Sequence, residues 1–119
     1  MNEIESKFQD YINQLKSLQN SNYSVYEFYK KALQIENNFY KAVHDTDPDD
    51  YKGKYARCVI LGKYKDFNCE GMLEQLNKLP ESLKNENINS YYLRFPDKNI
   101  SNQINKFIGD FSKLKNLSE

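Results

Sequence analysis

One histidine, two cysteines and four glycines in 119 residues leave little material for the commoner chemistries of small proteins. A structural zinc site takes four ligands in close pairs, whereas His44, Cys58 and Cys69 are three scattered candidates. Gly53, Gly62, Gly71 and Gly109 form neither a phosphate-cradling loop nor a dinucleotide fingerprint, since both need glycines at fixed short spacing. Net charge is also missing, with 17 basic against 17 acidic residues, so no overall field draws the chain to a polyanion. No apolar run approaches the ~18 residues that a membrane-spanning helix requires. Met1-Asn2-Glu3-Ile4-Glu5 has neither the basic nor the apolar stretch of an export signal. The expected location is therefore cytoplasmic, with Cys58 and Cys69 as reduced thiols. Tryptophan is absent; seven Phe and ten Tyr supply the large apolar surfaces instead.

What is present is helical periodicity. Ile4, Phe8, Tyr11, Leu15 and Leu18 recur at steps of four and three, which lines one face of a helix. Asn2 and Glu5 have the spacing of a capping box before it, and Asn20-Ser21-Asn22 ends it. A second box, Ser24 and Glu27, opens a helix carrying Val25, Phe28, Ala32, Ile35, Phe39 and Ala42, broadened by Tyr29, Leu33, Tyr40 and Val43. This helix is expected to be the most buried, with His44 in its last turn. Pro48 behind Asp47 is a start signal for a third helix through Tyr51, Tyr55, Cys58 and Val59. Asn68 begins a short helix through Met72, Leu73 and Leu76 that closes before Pro80, and Leu83 belongs to a further turn. Ile88, Tyr91, Tyr92 and Phe95 have helical spacing, Pro96–Asn99 is a turn, and Ile104, Phe107, Ile108, Phe111 and Leu114 stripe a last helix capped by Asn99 or Ser101.

The expected fold is all-α, a single domain over residues 1–119 built as a bundle of five or six helices. The first, second and last form its central pack, and the core contains Phe8, Leu15, Phe28, Ile35, Phe39, Ile104, Phe107 and Phe111. The alternative is α+β with a short hairpin from 56–61 and 90–95, because Cys58-Val59-Ile60-Leu61 is continuously apolar and Tyr91, Leu93 and Phe95 alternate.

Catalysis finds no footing. Asp45, Asp47 and Asp49 match the first positions of a helix-flanked calcium loop, but Asp50 stands where that loop needs Gly and Ala56 where it needs Glu. His44 lies near Asp45 and Asp47 without a nucleophile or an oxyanion-binding loop. No catalytic, metal-binding or cofactor-binding residue is assigned, no cofactor is expected, and the chain is read as not an enzyme.

Charge and tyrosine are unevenly placed, which favours protein binding. Asp45, Asp47, Asp49 and Asp50, flanked by Tyr40 and Tyr51, concentrate negative charge that would meet a basic partner, and tyrosine is a preferred contact residue. Tyr91 and Tyr92, beside Arg94, are a second candidate patch. The other reading is a helical nucleic-acid-binding or regulatory module, using the interleaved cations and aromatics of Tyr51, Lys52, Lys54, Tyr55, Arg57, Lys63, Tyr64 and Lys65. In general character, as a short chain offering acidic and tyrosine side chains and no chemistry, it is similar to the small bacterial immunity proteins that neutralise toxins, some of them nucleases. That resemblance implies a stoichiometric inhibitor of a basic toxin domain.

Overall fold

The computed structural model describes residues 3–46, 68–102 and 104–105, and for residues 3–5, 8, 40 and 42–46 the backbone alone. Five α-helices are present among them: α1 Glu3–Gln19, α2 Val25–Thr46, α3 Cys69–Asn77, α4 Glu81–Lys84 and α5 Ile88–Arg94. A 3-10 turn, Pro96–Lys98, follows, and 101–102 and 104–105 resume the helical path. No strand occurs among the described residues, and the protein is an all-α bundle. Residues 90–94, which could alternate as a strand, are helical; 56–61 lie outside the described residues.

α2 is the element against which the others pack. α1 folds back on it through the short 20–24 connection, so that Tyr11 stacks on Phe39 with ring centroids 4.3 Å apart. α3 runs along it on another side, where the Cys69 thiol approaches the Leu33 carbonyl at 3.8 Å and the Tyr26 hydroxyl donates to Asn77 at 2.8 Å. α5 lies across its first turns, with the Tyr92 ring edge-on to Phe28. The expectation that this helix would be the most buried follows from its stripe: Val25, Phe28, Ala32, Leu33 and Phe39 are all buried.

Of the expected core, Leu15, Phe28, Phe39 and Ile104 are buried. Ile35 is only half-buried, because the inward line of α2 runs 25, 28, 32, 36, 39 and leaves 35 at its edge. Phe107 and Phe111 fall outside the described residues, as does the side chain of Phe8. Tyr11, Ile12, Leu18, Ile88 and Ile100, with Val25 and Ala32 of α2, complete the cluster.

The helix starts follow the sequence closely. Ser24 Oγ accepts the Glu27 N–H at 3.2 Å, and Asn68 Oδ1 accepts that of Gly71 at 3.1 Å. A Cβ on Gly71 would stand 2.8 Å from the Asn68 amide, so glycine there lets the cap reach in. Asn99 rather than Ser101 caps the final helical stretch, with its Oδ1 accepting the Ser101 N–H at 2.9 Å. The end of α2 differs from expectation. The helix continues through Asp45 to Thr46, so Asp45 belongs to its last turn and not to a loop. A helix can persist until just before the residue preceding a proline, and Pro48 is that proline.

The starts of α2 and α5 are also tied to each other. The Val25 N–H donates to Glu86 O at 2.8 Å and the Ile88 N–H to Tyr23 O at 2.8 Å, forming an antiparallel bridge between Ser24 and Asn87. Asn87 Nδ2 adds a bond to Asn22 Oδ1 at 2.6 Å, while its Oδ1 accepts the Asn89 and Ser90 N–H groups. Asn87→Ala removes cap and cross-link together and is expected to cost somewhat more than the ~1 kcal/mol of an ordinary N-cap. Phe28→Ala should cost about 3–5 kcal/mol. Urea denaturation of the two variants checks both figures, and a loss below about 1 kcal/mol for Phe28→Ala would place that ring outside the core.

Candidate functional site

The eight expected partner-binding residues are not gathered in one described place. Tyr40 and Asp45 stand on α2, where the backbone alone is described, and Asp47, Asp49, Asp50 and Tyr51 lie outside the described residues. So does the basic stretch Lys52–Lys65 of the nucleic-acid reading. Tyr91 and Tyr92 are in α5 and can be followed atom by atom.

α5 is seven residues long, begun by the Asn87 cap and stopped by Pro96, which cannot continue a hydrogen-bonded helix. Glu86 just before it and Arg94 at its end form a two-pronged ion pair, Nε to Oε1 at 2.9 Å and Nη2 to Oε2 at 2.6 Å, which braces the short helix along its length. The Glu86 carboxylate also raises the guanidinium above its ordinary pKa.

Ile88 points into the core, and Tyr91 and Tyr92, three and four positions on, share that side and pack half-buried against it. The Tyr92 hydroxyl meets that of Tyr29 at 3.2 Å. Burial pushes both phenols above their ordinary pKa, and the shared hydrogen bond pushes Tyr29 further up while partly offsetting the rise at Tyr92. Tyr92 therefore serves the interior, which narrows the part of the Tyr91-Tyr92 patch free to meet a partner.

The neighbouring position does the reverse. Leu93, about 100° further round the helix, is 84% exposed, and Phe95 is 39% exposed. The Arg94 guanidinium carbon lies 4.8 Å from the Phe95 ring centroid, and the Tyr91 ring lies 5.2 Å from the same ring. Arg94, Phe95 and Tyr91 thus make an apolar and cationic surface on one side of the end of α5, and Leu93 stands exposed on another. In the sequence Leu93 stands as one member of an alternating run with Tyr91 and Phe95. Its signal is phase: on a helix with Ile88 and Tyr92 inward, residue 93 must face out.

A second oversight is inside. Glu36 is 1% exposed, in the middle of the α2 stripe, and the Tyr11 hydroxyl donates to its Oε1 at 3.3 Å. Its place four residues after Ala32 and three before Phe39 marks it as a core position. Cys69 nearby is a half-buried thiol whose pKa burial raises, with Lys41 pulling it back and Glu70 and Glu36 adding to the rise. Among the described residues no group of three His, Cys, Asp or Glu side chains could hold a metal. No described helix is long and apolar enough to cross a membrane.

Cations and aromatics do interleave on another face. Lys30 and Lys84 approach the Tyr26 ring at 5.7 and 5.5 Å from its centroid, and Lys31 approaches Tyr23 at 5.1 Å. Glu81 partners Lys84 at 3.6 Å, so this face is mixed in charge rather than a phosphate track.

No protein-family model, curated protein or solved structure matches this chain. Its function is therefore argued from the described surface and from the sequence.

The tyrosine pair carries a pH dependence. A phenol whose folded pKa is raised contributes stability in full below the unfolded value, about 10, and loses it as pH climbs from there through the folded value. Unfolding free energy should hold steady up to about pH 10 and then fall. The fall should be shallower in the Tyr29→Phe, Tyr92→Phe double variant than in the parent, as read by urea titrations at stepped pH. Equal slopes would mean the pair is ionised as easily folded as unfolded.

Proposed function

We propose that this chain is a stoichiometric protein-binding module whose contact surface is the Leu93–Phe95 end of α5. The observation that carries it is the exposure of two large apolar side chains at the end of one short helix, Leu93 at 84% and Phe95 at 39%, the latter with the Arg94 guanidinium 4.8 Å from its ring centroid. Isolated exposed leucines are common on protein surfaces, but a leucine, an aromatic and an arginine exposed at one helix end have the composition of an interface centre. The fold can dispense with Leu93, since the inward face of α5 is already supplied by Ile88, Tyr91 and Tyr92.

The finer form of the proposal is an inhibitor that blocks a toxin, as the likeness to immunity proteins implies. Four aspartates within residues 45–50 support a basic partner by their charge alone, through long-range attraction that salt weakens. In this division of labour the acidic stretch speeds encounter and the α5 surface holds the complex.

The test is affinity capture with the wild-type chain and with Leu93→Asp, followed by titration calorimetry against the protein recovered. A single protein bound one to one, weakened roughly tenfold or more by Leu93→Asp at unchanged helicity, is the expected result. Equal affinity of the two forms would move the contact away from α5, and recovery of nucleic acid in place of protein would overturn the reading.

A further inference from the structure

Between α1 and α2 runs an open groove of about 340 Å³. Its floor is apolar, with Leu18 of α1 buried and Ile35 of α2 half-buried. Its walls carry exposed amides, Gln14 from α1 and Gln34 and Asn38 from α2, whose side chains are engaged with no other described residue. One end is closed and charged. Tyr23, in the 20–24 connection that joins the two helices, lines the groove there, and the Lys31 ammonium lies 5.1 Å from the Tyr23 ring centroid. Lys31 is the one charged residue of this lining, and it pairs with no carboxylate among the described residues.

We infer that this groove receives the C-terminal end of a polypeptide, its main chain extended between the two helices and its terminal carboxylate at Lys31. The site is separate from the α5 surface and stands whether or not that surface meets a partner. An amide side chain both donates and accepts, as a peptide group does, so Gln14, Gln34 and Asn38 can pair with the N–H and C=O groups of an extended segment. A wholly apolar ligand would cover those amides without pairing them. The length also agrees. From Lys31 to Asn38, α2 advances about 10 Å at ~1.5 Å per residue, which is the span of about three extended residues at ~3.3 Å each.

The closed end decides which part of a polypeptide fits. An interior segment lying along the groove would have to continue past Lys31, where the 20–24 connection stands in its way. A chain that stops there does not. Of the two chain ends, the carboxylate meets a cation that has no countercharge, whereas a terminal ammonium would meet a like charge. Contact with the Tyr23 ring holds the Lys31 ammonium at this end, so less of its freedom is lost when the carboxylate arrives.

The experiment uses the whole chain, 15N-labelled, titrated with N-acetyl-trialanine as the free acid and watched by amide chemical shifts. Saturable shifts are expected at residues 14–18, 23 and 31–38. The C-terminally amidated peptide should bind roughly two- to fivefold more weakly, the range of an exposed ion pair, and the difference should shrink as salt rises. A pentapeptide with an aspartate at its centre and both ends blocked should bind no better than the amide. Lys31 is exposed, so Lys31→Met keeps the fold and an apolar stem beside Tyr23 and should abolish the preference for the acid. Gln34→Ala with Asn38→Ala, also at exposed positions, should weaken acid and amide alike. Absence of saturable shifts with the free acid overturns the site. Equal affinity for acid and amide, or a preference that survives Lys31→Met, overturns the placing of the carboxylate. Binding of the blocked pentapeptide as tightly as the free acid overturns the assignment to a chain end.

Discussion

A helix begins with amide protons that nothing inside it can accept, and in this protein two helices resolve that deficit for each other. The first N–H of α2 goes to the carbonyl before the cap of α5, and the first N–H of α5 goes to the carbonyl before the cap of α2. Ser24 and Asn87 then accept the next donors with their own side chains. This exchange fixes where α5 sits and how it is rotated. Ile88 enters the core, Tyr92 meets Tyr29 and Phe28, and the rotation that accomplishes both turns Leu93 outward. The exposure of Leu93 is the other face of the same constraint.

Polar groups in the interior are handled in a related way. Tyr29 and Tyr92 bring two hydroxyls into the protein and let them satisfy one another. Glu36 brings a carboxylate to the centre of the α2 stripe, where the Tyr11 hydroxyl reaches it. A buried carboxyl group is seldom the most stabilising choice for a core position, but it discriminates among packings because only arrangements that supply it hydrogen-bond partners tolerate it. In a core assembled largely from aromatics, whose rings fit many orientations, that discrimination favours one rotation of α1 on α2.

Local features were legible in the sequence where the physics is local. The stripes of α1 and α2, the Ser24 and Asn68 caps, the stop before Pro80 and the turn at Pro96 depend on residues within a few positions of one another. The helical spacing of Ile88, Tyr91 and Tyr92 was visible as well, although a competing alternation obscured it until α5 settled the period. The Ser24–Asn87 bridge could not be read, since Ser24 has the look of a self-sufficient cap and its partner lies far along the chain. Leu93 and Glu36 become legible only through helical phase, because residue type alone argues the opposite placement for each. Of the partner-binding candidates, only Tyr91 and Tyr92 can be followed to their atoms, and there the interior claims most of Tyr92.

The bridge also separates equilibrium from kinetics. Asn22 and Asn87, which hydrogen-bond across it, are 65 positions apart, so the chain between them must close on itself before either helix start is complete. The equilibrium cost of such closure grows only logarithmically, by about 0.6 kcal/mol for each doubling of the loop. Folding speed answers more strongly to sequence separation, because distant contacts must be found before they contribute. The bridge therefore costs the folded bundle little in stability and weighs chiefly on how fast it is reached.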